Sequence, residues 1–477
     1  MKEIVSMRKY LTIFLISFIK FSISAQEVWT LDRALTHAEE NSLQIIQARY
    51  DTRRAEVDLA SIRQQRIPSL SFSSNLSNSI GRTIDPTTND FTTESNYNQS
   101  ANLNTGVQLF NGGLVHKQVQ DAKLGKQQAA FQVEATTEDV LLSVVQQFFQ
   151  ALYASENVTL ANANLELLKE QENRTQAEVS AGSKPQNELL EIQAEVASSE
   201  QQLIAAENQQ DLAKLLFKQL LRLPVEEEIE LQLPRADDIQ PDETDLLSLP
   251  ELRERALALS PAIMVAETSV KSAELGIRIA QSQYYPSLSL GGSLSTNYSS
   301  ARRTSIQTGT AIMNQTVYLD GDPVTVGFEN PTFQFESIPY SNQLQDNWGL
   351  GFGLQLSVPI YSQGNVSASV QRARINHQSA QIQKEQQEQQ FTEEFERTIT
   401  DLKSSYRSYL ASDKTLTAST LFFENIQLSF NVGASTSFEL INAQNRKEEA
   451  EINYIVAKYD YLARKRSLEI YLKNSGQ

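Results

Sequence analysis

Apolar and polar positions alternate with period two along Trp348, Leu350, Phe352, Leu354, Leu356, Val358 and Ile360, with Gly, Gln, Ser and Pro at the positions between. That is the signature of a strand with one apolar face and one small or polar face. Weaker versions recur at Leu70, Phe72 and Leu76, at Leu103, Thr105, Val107 and Leu109, and at Leu288, Leu290 and Leu294. The pattern predicts strands over 69–78, 101–110, 287–297 and 347–360. Each is about ten residues, the length a tilted strand needs to cross a bilayer. The stretches between the members of each pair, about 79–101 and 297–347, are rich in Ser, Thr, Asn, Gly and Pro and read as solvent-exposed loops.

Elsewhere the period changes to between three and four. From Gly113 to Gly182 and from Gly364 to Gly433 the chain has no proline and only Gly125 inside, which predicts helices over 113–181 and 364–431. At 1.5 Å per residue, roughly 67 residues make a helix about 100 Å long, far beyond a globular helix. Val140, Val144, Phe148 and Leu152 beside Leu141, Val145, Phe149 and Tyr153 form its apolar stripe. Returning helices are expected over 184–222 and 435–472. The first alternates spacings of three and four at Leu189, Ile192, Val196, Ser199, Leu203, Ala206, Gln210, Ala213, Phe217 and Leu220, and the second places Ala443, Ala450 and Ala457 every seven residues. Small residues on such a seam let two helices approach closely. Shorter helices over 30–66 and 250–284 are rich in Ala, Leu, Glu, Gln and Arg, and give way at Pro68 and Pro286.

These elements occur twice in the same order. Pro68-Ser69-Leu70-Ser71 returns as Pro286-Ser287-Leu288-Ser289, a shift of 218 that also carries Ala48, Ala55 and Glu56 onto Ala266, Ala273 and Glu274. Further on, a shift of 251 carries Val107, Phe110, Gly113, Gln132, Gly182, Glu188, Leu189 and Gln193 onto Val358, Tyr361, Gly364, Gln383, Gly433, Glu439, Leu440 and Gln444. A constant register over more than 80 residues marks two structural repeats, 26–248 and 249–477. The shifts differ by 33 residues, an insertion assigned to one longer loop in the second half.

Composition narrows the class. Residues 1–25 carry Lys2, Arg8 and Lys9, an apolar run from Leu11 to Ile19, and the small stretch Ser22-Ile23-Ser24-Ala25, the layout of a secretory signal peptide. No run of about 18 apolar residues exists, so membrane insertion would be by β-barrel or by surface attachment. The chain has no cysteine, which excludes disulfides, thiolate metal sites and a lipidated N-terminal cysteine. Its formal charge is −17, and removing residues 1–25 takes away four basic residues and one acid to leave about −20, which disfavours nucleic acid as a partner. His37, His116 and His377 are scattered, and Gly349, Gly351 and Gly353 lie inside a strand rather than at a strand-to-helix turn, so neither a metal nor a dinucleotide cofactor is expected. No P-loop, nucleophile elbow or H-E-x-x-H motif supports catalysis.

The two turns, Glu178-Val179-Ser180-Ala181-Gly182 with Glu188-Leu189 and Phe430-Asn431-Val432-Gly433 with Glu439-Leu440, complete a pattern that resembles the TolC family of outer-membrane factors over about Trp29 to Leu472. The resemblance implies a mainly α chain with a membrane β-barrel: a homotrimer whose twelve-stranded barrel continues into an α-helical periplasmic barrel with a closable mouth. Oligomerisation also follows from physics, since four strands in lipid leave unpaired edges and closed bacterial barrels need about eight strands or more. By motif position the resemblance places Glu188, Glu191, Glu439 and Asn442 at the periplasmic aperture, the last of these an uncharged residue where the family has a second acid. The family often shuts its mouth with a tyrosine before the second turn and an arginine after its glycine, but here those positions hold Phe430 and Ser435. Lys184, near Glu188, is then a candidate latch partner. Glu188 and Glu439 also have an ordinary reading, as N-terminal charges that favour the helix macrodipole by about 0.3–1 kcal/mol.

The implied function is the passive outer-membrane channel of a tripartite efflux or type I secretion system. An inner-membrane pump or transporter would supply the energy, and a periplasmic membrane-fusion adaptor would dock at the turns around Gly182 and Gly433. Drugs, metals, peptides and proteins all remain open as cargo. A periplasmic adaptor or coiled-coil scaffold would share the long helices but would not need four bilayer-length strands, and an enzyme would need a convergent acid, base or metal constellation.

Overall fold

A computed structural model of the chain describes residues 27–84, 90–232 and 249–473, so the expected signal peptide lies outside the described residues. In chain order, β1 (Glu27–Trp29) leads into α1 (Leu31–Asn41) and α2 (Leu43–Gln64). The strands β2 (Ser69–Ile84) and β3 (Phe91–Asn111) follow, then the long helix α3 (Leu114–Ser180) and its return α4 (Gln186–Leu221). Next come β4 (Ile229–Leu231), α5 (Leu249–Leu259), α6 (Pro261–Gln281), β5 (Ser287–Ser299), β6 (Arg303–Leu319), β7 (Asp322–Ser337), α7 (Tyr340–Asp346) and β8 (Gly349–Ser357). The helices α8 (Asn365–Asn431) and α9 (Ser437–Lys473) complete the chain. The chain forms two compact units, and these do not follow the halves 26–248 and 249–477. One unit holds residues up to Glu56, Leu124–Lys271 and Gln378 onward, and the other holds Val57–Lys123 and Ser272–His377, so each draws on both halves.

The first unit is helical, and its core sits on the stripes that the spacing predicts. Leu189, Ile192, Val196, Ser199, Ala206, Ala213 and Phe217 of α4 are buried, as are Ala443, Ala450 and Ala457 of α9. The largest cluster gathers Trp29, Ala34, Ile45, Val144, Phe148, Leu152, Phe217 and Leu221 from β1 and the first four helices. Phe148 meets Phe217 edge to face with centroids 5.8 Å apart. A second cluster joins Leu252 and Ala256 of α5 to Phe395 and Ile399 of α8 and to Leu468 of α9. Patterning did not reveal the parallel pair β1–β4, which registers Trp29 opposite Leu231 and brings residues distant in sequence into one ladder. Three residues per strand are too few for periodicity to register.

The predicted helix 30–66 is two helices. Ser42 is extended (φ −62°, ψ 128°) and its N–H closes onto Ala38 O, ending α1, whose start is capped by the Thr30 side chain. The predicted helix 250–284 is likewise interrupted at Ser260, just before Pro261, which opens α6 at the first helical position, where a missing N–H costs nothing. The last three residues of that stretch, Ser282–Tyr284, tighten into a 3₁₀ turn.

The second unit is built on an antiparallel sheet in the order β2-β3-β5-β8. Register decides what each face carries. Phe72 pairs with Leu103, Leu103 in turn pairs with Leu294, and Leu294 pairs with Leu350. Leu290 likewise joins Val107 to Leu354. One face is therefore apolar from edge to edge. The alternate residues, Ser71, Ser73 and Asn75 on β2, Asn102 and Asn104 on β3, Ser293 and Ser295 on β5, and Gly351, Gly353 and Gln355 on β8, form a face with no formal charge where the four strands pair. The glycines at 349, 351 and 353 belong to this small-residue face, and a Cβ on Gly351 would meet Ser293 Oγ at 3.3 Å.

Three strand boundaries differ from the expectation. The hairpin β2–β3 runs to Ile84 and restarts at Phe91, so most of the supposed loop 79–101 is strand in which Ile80, Ile84 and Phe91 continue the face of Leu76, interrupted by Arg82. The strand expected over 347–360 stops at Ser357, two residues before Pro359, which has no N–H to give a ladder. The long loop 297–347, the site of the insertion, is an antiparallel ribbon of β6 and β7 followed by α7. Its turn, Asp320-Gly321, has both residues in the left-handed region (φ 52° and 97°), which is what a two-residue hairpin turn of the primed type requires.

Candidate functional site

The two helix-turn-helix tips, where α3 meets α4 and α8 meets α9, hold the candidate residues. Both turns are made the same way. The N–H of Ser183 bonds Glu178 O at 2.9 Å and that of Gly182 bonds Val179 O at 2.9 Å; at the other tip the N–H of Ala434 bonds Ser429 O at 2.8 Å and that of Gly433 bonds Phe430 O at 3.0 Å. These paired bonds satisfy the last carbonyls of each long helix and require a left-handed residue, so Gly182 (φ 73°) and Gly433 (φ 77°) recur for a backbone reason.

Lys184 lies at the centre of the first tip. Its Nζ is 3.0 Å from Glu178 Oε2, 3.3 Å from Glu188 Oε2 and 4.5 Å from the centroid of the Phe430 ring. Arg174 flanks it, pairing with Glu178 Oε1 at 3.2 Å and donating from Nη1 to Asn431 Oδ1 at 2.7 Å, with its guanidinium also facing Phe430. Glu188 accepts a 2.8 Å hydrogen bond from Ser437 Oγ at the start of α9. Three links thus join the tips: Glu188 to Ser437, Arg174 to Asn431, and Lys184 with Arg174 over Phe430. A phenylalanine cannot hydrogen-bond, but its ring face attracts cations, each contact being worth about 0.5–1 kcal/mol at exposed sites.

The candidate residues divide accordingly. Lys184, Glu188 and Phe430 come together in this cluster, and Gly182 and Gly433 shape the turns. Glu439 takes another role: its Oε2 accepts from Thr436 N–H at 2.9 Å while its own N–H donates to Thr436 Oγ1 at 3.3 Å, a reciprocal cap at the start of α9. Its side chain stays exposed, as does that of Glu191, and Asn442 donates to Phe438 O within its own helix. Ser435 lies half-buried in the turn. Sequence reasoning missed Arg174, Glu178, Asn431 and Ser437. The Arg174–Glu178 pair is spaced i,i+4 at the end of a long helix and was legible as an ion pair, but nothing local marks its reach to Asn431.

Electrostatics make this cluster sensitive to acid. The hydrogen bond from Lys184, aided by Arg174, holds the Glu178 carboxyl below its ordinary value of 4.5 against the opposing effect of partial burial. A carboxylate lowered by folding contributes stability that is present above its unfolded pKa and is lost as pH falls through its folded one. The tip contacts are therefore expected to hold above about pH 4.5 and to loosen below it. Protection of residues 182–188 from hydrogen exchange, taken relative to the intrinsic rate at each pH, should fall over that range in the wild type, and Glu178→Gln should show the lower protection already at neutral pH.

Farther along the same helices, a polar seam crosses from α3 to α9. Asn164 donates to Glu448 Oε2 at 2.6 Å, Gln444 donates to Asn164 Oδ1, and Gln171 donates to Gln444 Oε1 at 3.2 Å. Burial, reinforced by Glu195 and Glu451, raises the Glu448 pKa. Such paired amides fix helix register rather than offer chemistry. Among the described residues no group of three His, Asp or Glu side chains is placed to hold a metal ion, and no helix is long and apolar enough to cross a membrane.

The sequence matches the family described as "Outer membrane efflux protein" over residues 34–221 and 252–472. Among curated proteins it is 22% identical to the alkaline protease secretion protein AprF of Pseudomonas aeruginosa over 335 residues, which is 70% of this chain and 61% of that one. It is 25% identical to the proteases secretion protein PrtF of Dickeya chrysanthemi over 377 residues, covering 78% of this chain and 72% of the relative. The chain therefore spans less than two thirds of the first of these relatives. Among solved structures, the CmeC outer membrane channel of Campylobacter jejuni superposes with a TM-score of 0.74 at 16% identity, covering 93% of this chain and 85% of that one. At that identity the likeness establishes the fold.

Proposed function

The chain belongs to the outer membrane efflux protein family, and from that premise we propose that it is the outer-membrane channel of a tripartite efflux or type I secretion system. The observation that carries the reading is the sheet β2-β3-β5-β8. Its apolar face fits lipid and its uncharged Ser, Asn, Gly and Gln face fits a water-filled lumen. Among the described residues β2 and β8 each pair on one side only, leaving two open edges that a bilayer does not tolerate. Copies of the chain close them: three copies of four strands make a twelve-stranded barrel. Long helices joined by identical turns suit the periplasmic part, with the turns at Gly182 and Gly433 as the docking points for an adaptor and, through it, an inner-membrane pump or transporter. Transport then needs no chemistry from this chain, only a passage that opens.

The aperture is proposed to lie at the tips, where Glu188, Glu191, Glu439 and Asn442 would line it in threefold repetition, and the Lys184 cluster is proposed as the latch. Glu439 serves both roles, since its cap leaves the carboxylate exposed. An adaptor or scaffold without a barrel is disfavoured because it would have no use for a bilayer-length sheet with one apolar face.

Replacing Lys184 tests the latch. Lys184→Gln removes the cation shared by Glu178, Glu188 and Phe430, weakening each protomer's closed tip by about 0.5–1 kcal/mol for a partly exposed ion pair. Over three copies opening together this gives a tenfold or greater rise in open fraction, since each 1.4 kcal/mol is tenfold. Planar-bilayer recordings should show it, and unchanged open probability would remove Lys184 from the latch.

A further inference from the structure

The β6–β7 ribbon is the element that the transport reading leaves without a task. Its strands are 17 and 16 residues long, so the ribbon extends about 50 Å at roughly 3.3 Å per residue. It springs from the end of the sheet at Ser299, opposite the end where the strands meet helices. Among the described residues the two strands pack substantially only on each other. An isolated two-stranded hairpin is marginal in water at best, so a ribbon of this length needs a surface to cover one of its faces.

The root is rigid. Gln343 of α7, 2% exposed, uses its whole side-chain amide there: Nε2 donates to Ser299 O at 3.0 Å and to Ile338 O at 2.9 Å, and Oε1 accepts from Ser299 N–H at 3.0 Å. Tyr340 donates to Gln99 Oε1 at 2.8 Å and its ring meets Tyr298 edge to face, while Asn347 bonds both Asn297 O and Arg302. The ribbon is therefore fixed to the rim of the sheet rather than tethered by a loose loop.

Its far half is two-faced. Met313 pairs with Phe328, Gln315 with Val326, Val317 with Val324 and Leu319 with Asp322, so Met313, Val317, Leu319, Val324, Val326 and Phe328 share one face with Gln315, and Asp322 lies on it only at the turn. All are exposed in the single chain except Val326, which is half-buried. The other face carries Asn314, Thr316, Thr325 and Glu329 beside Ile312 and Tyr318. Between Met313 and Val317, and between Val324 and Phe328, no residue is charged.

We propose that this apolar face packs on the same face of the ribbons of the other copies, building a protein collar above the outer end of the barrel. The proposal rests on the trimeric channel reading, because the sheet edges that must pair with neighbouring copies belong to the sheet whose rim holds the ribbon, so its root stands beside its counterparts. Charge disfavours an anionic lipid surface as the occupant: from Arg303 to Ser337 the ribbon has one basic residue against Asp320, Asp322, Glu329 and Glu336.

The absence of cysteine makes the test clean. Val317→Cys and, on the opposite face, Thr316→Cys are each expressed in intact outer membranes, oxidised, and examined on a denaturing gel, with a native gel of the same sample reporting the trimer. The expected result is a covalent dimer at least fivefold more abundant for Val317→Cys than for Thr316→Cys. A trimer in which neither variant links, or both link equally, overturns the collar and leaves the channel standing. In the first of those cases, labelling of Val317→Cys by a membrane-partitioning maleimide assigns the face to lipid. A sample with no trimer on the native gel overturns the channel reading and the collar with it.

Discussion

Leu354→Arg is expected to leave little assembled protein in the outer membrane, while the adjacent Gln355→Arg is expected to assemble as the wild type does. Leu354 is 66% exposed in the single chain, paired with Leu290 on the apolar face, and Gln355 is paired with Ser289 on the polar one. Arginine near the midplane on the lipid side of a barrel costs about 2–4 kcal/mol, and each trimer would carry three. On the lumen side the same residue meets water. The contrast isolates orientation from bulk and charge, which the two variants share. Quantifying heat-resistant trimer in membrane fractions reads it, and equal yields from the two variants would mean that the sheet does not present Leu354 to lipid.

Phe217→Ala is expected to have the largest effect on the helical unit, a loss of about 3–5 kcal/mol as for a large aromatic deleted from a tight core. Phe217 has no exposure at all and lies against Phe148 in the cluster that also holds Trp29, Ile45 and Leu221. That cluster ties α4 to α1, α2, α3 and the β1–β4 pair, so the cavity would open where all of these meet and none can relax freely. The helical circular-dichroism melt of the detergent-solubilised protein should move to markedly lower temperature or denaturant. By comparison Leu190→Ala, at a half-exposed position on the same helix, should leave it nearly unchanged. Similar midpoints for the two variants would contradict the assigned core.

What the sequence disclosed, and what it hid, follows from the range of each signal. A 67-residue helix repeats its stripe so many times that its extent and buried face are legible, and Ala443, Ala450 and Ala457 lie on the packed side as their spacing implies. The apolar and polar faces of the sheet were legible for the same reason, since period two cannot change phase without moving every leucine to the other side. The ribbon is not legible because its strands are rich in Thr, Asn, Gln and Gly, the residues of loops, and the Asp320-Gly321 hairpin signal is submerged in that composition. The pair β1–β4 was hidden by brevity and separation.

The tips show the same division. Gly182 and Gly433 could be read locally because a helix end with a left-handed residue writes itself into a few neighbouring positions. The links across the tips could not, since Glu188 to Ser437 and Arg174 to Asn431 join positions 249 and 257 residues apart. Glu439 was open to two readings, and the geometry supplies the cap directly while the aperture role stands as a proposal.

A sheet with open edges, placed in lipid, obliges identical copies to share one barrel. Native mass spectrometry of the protein extracted from outer membranes in detergent tests it most directly. The expected species holds three chains and depends on surfactant for its integrity; a stable monomer that remains in solution without any would refute the shared barrel.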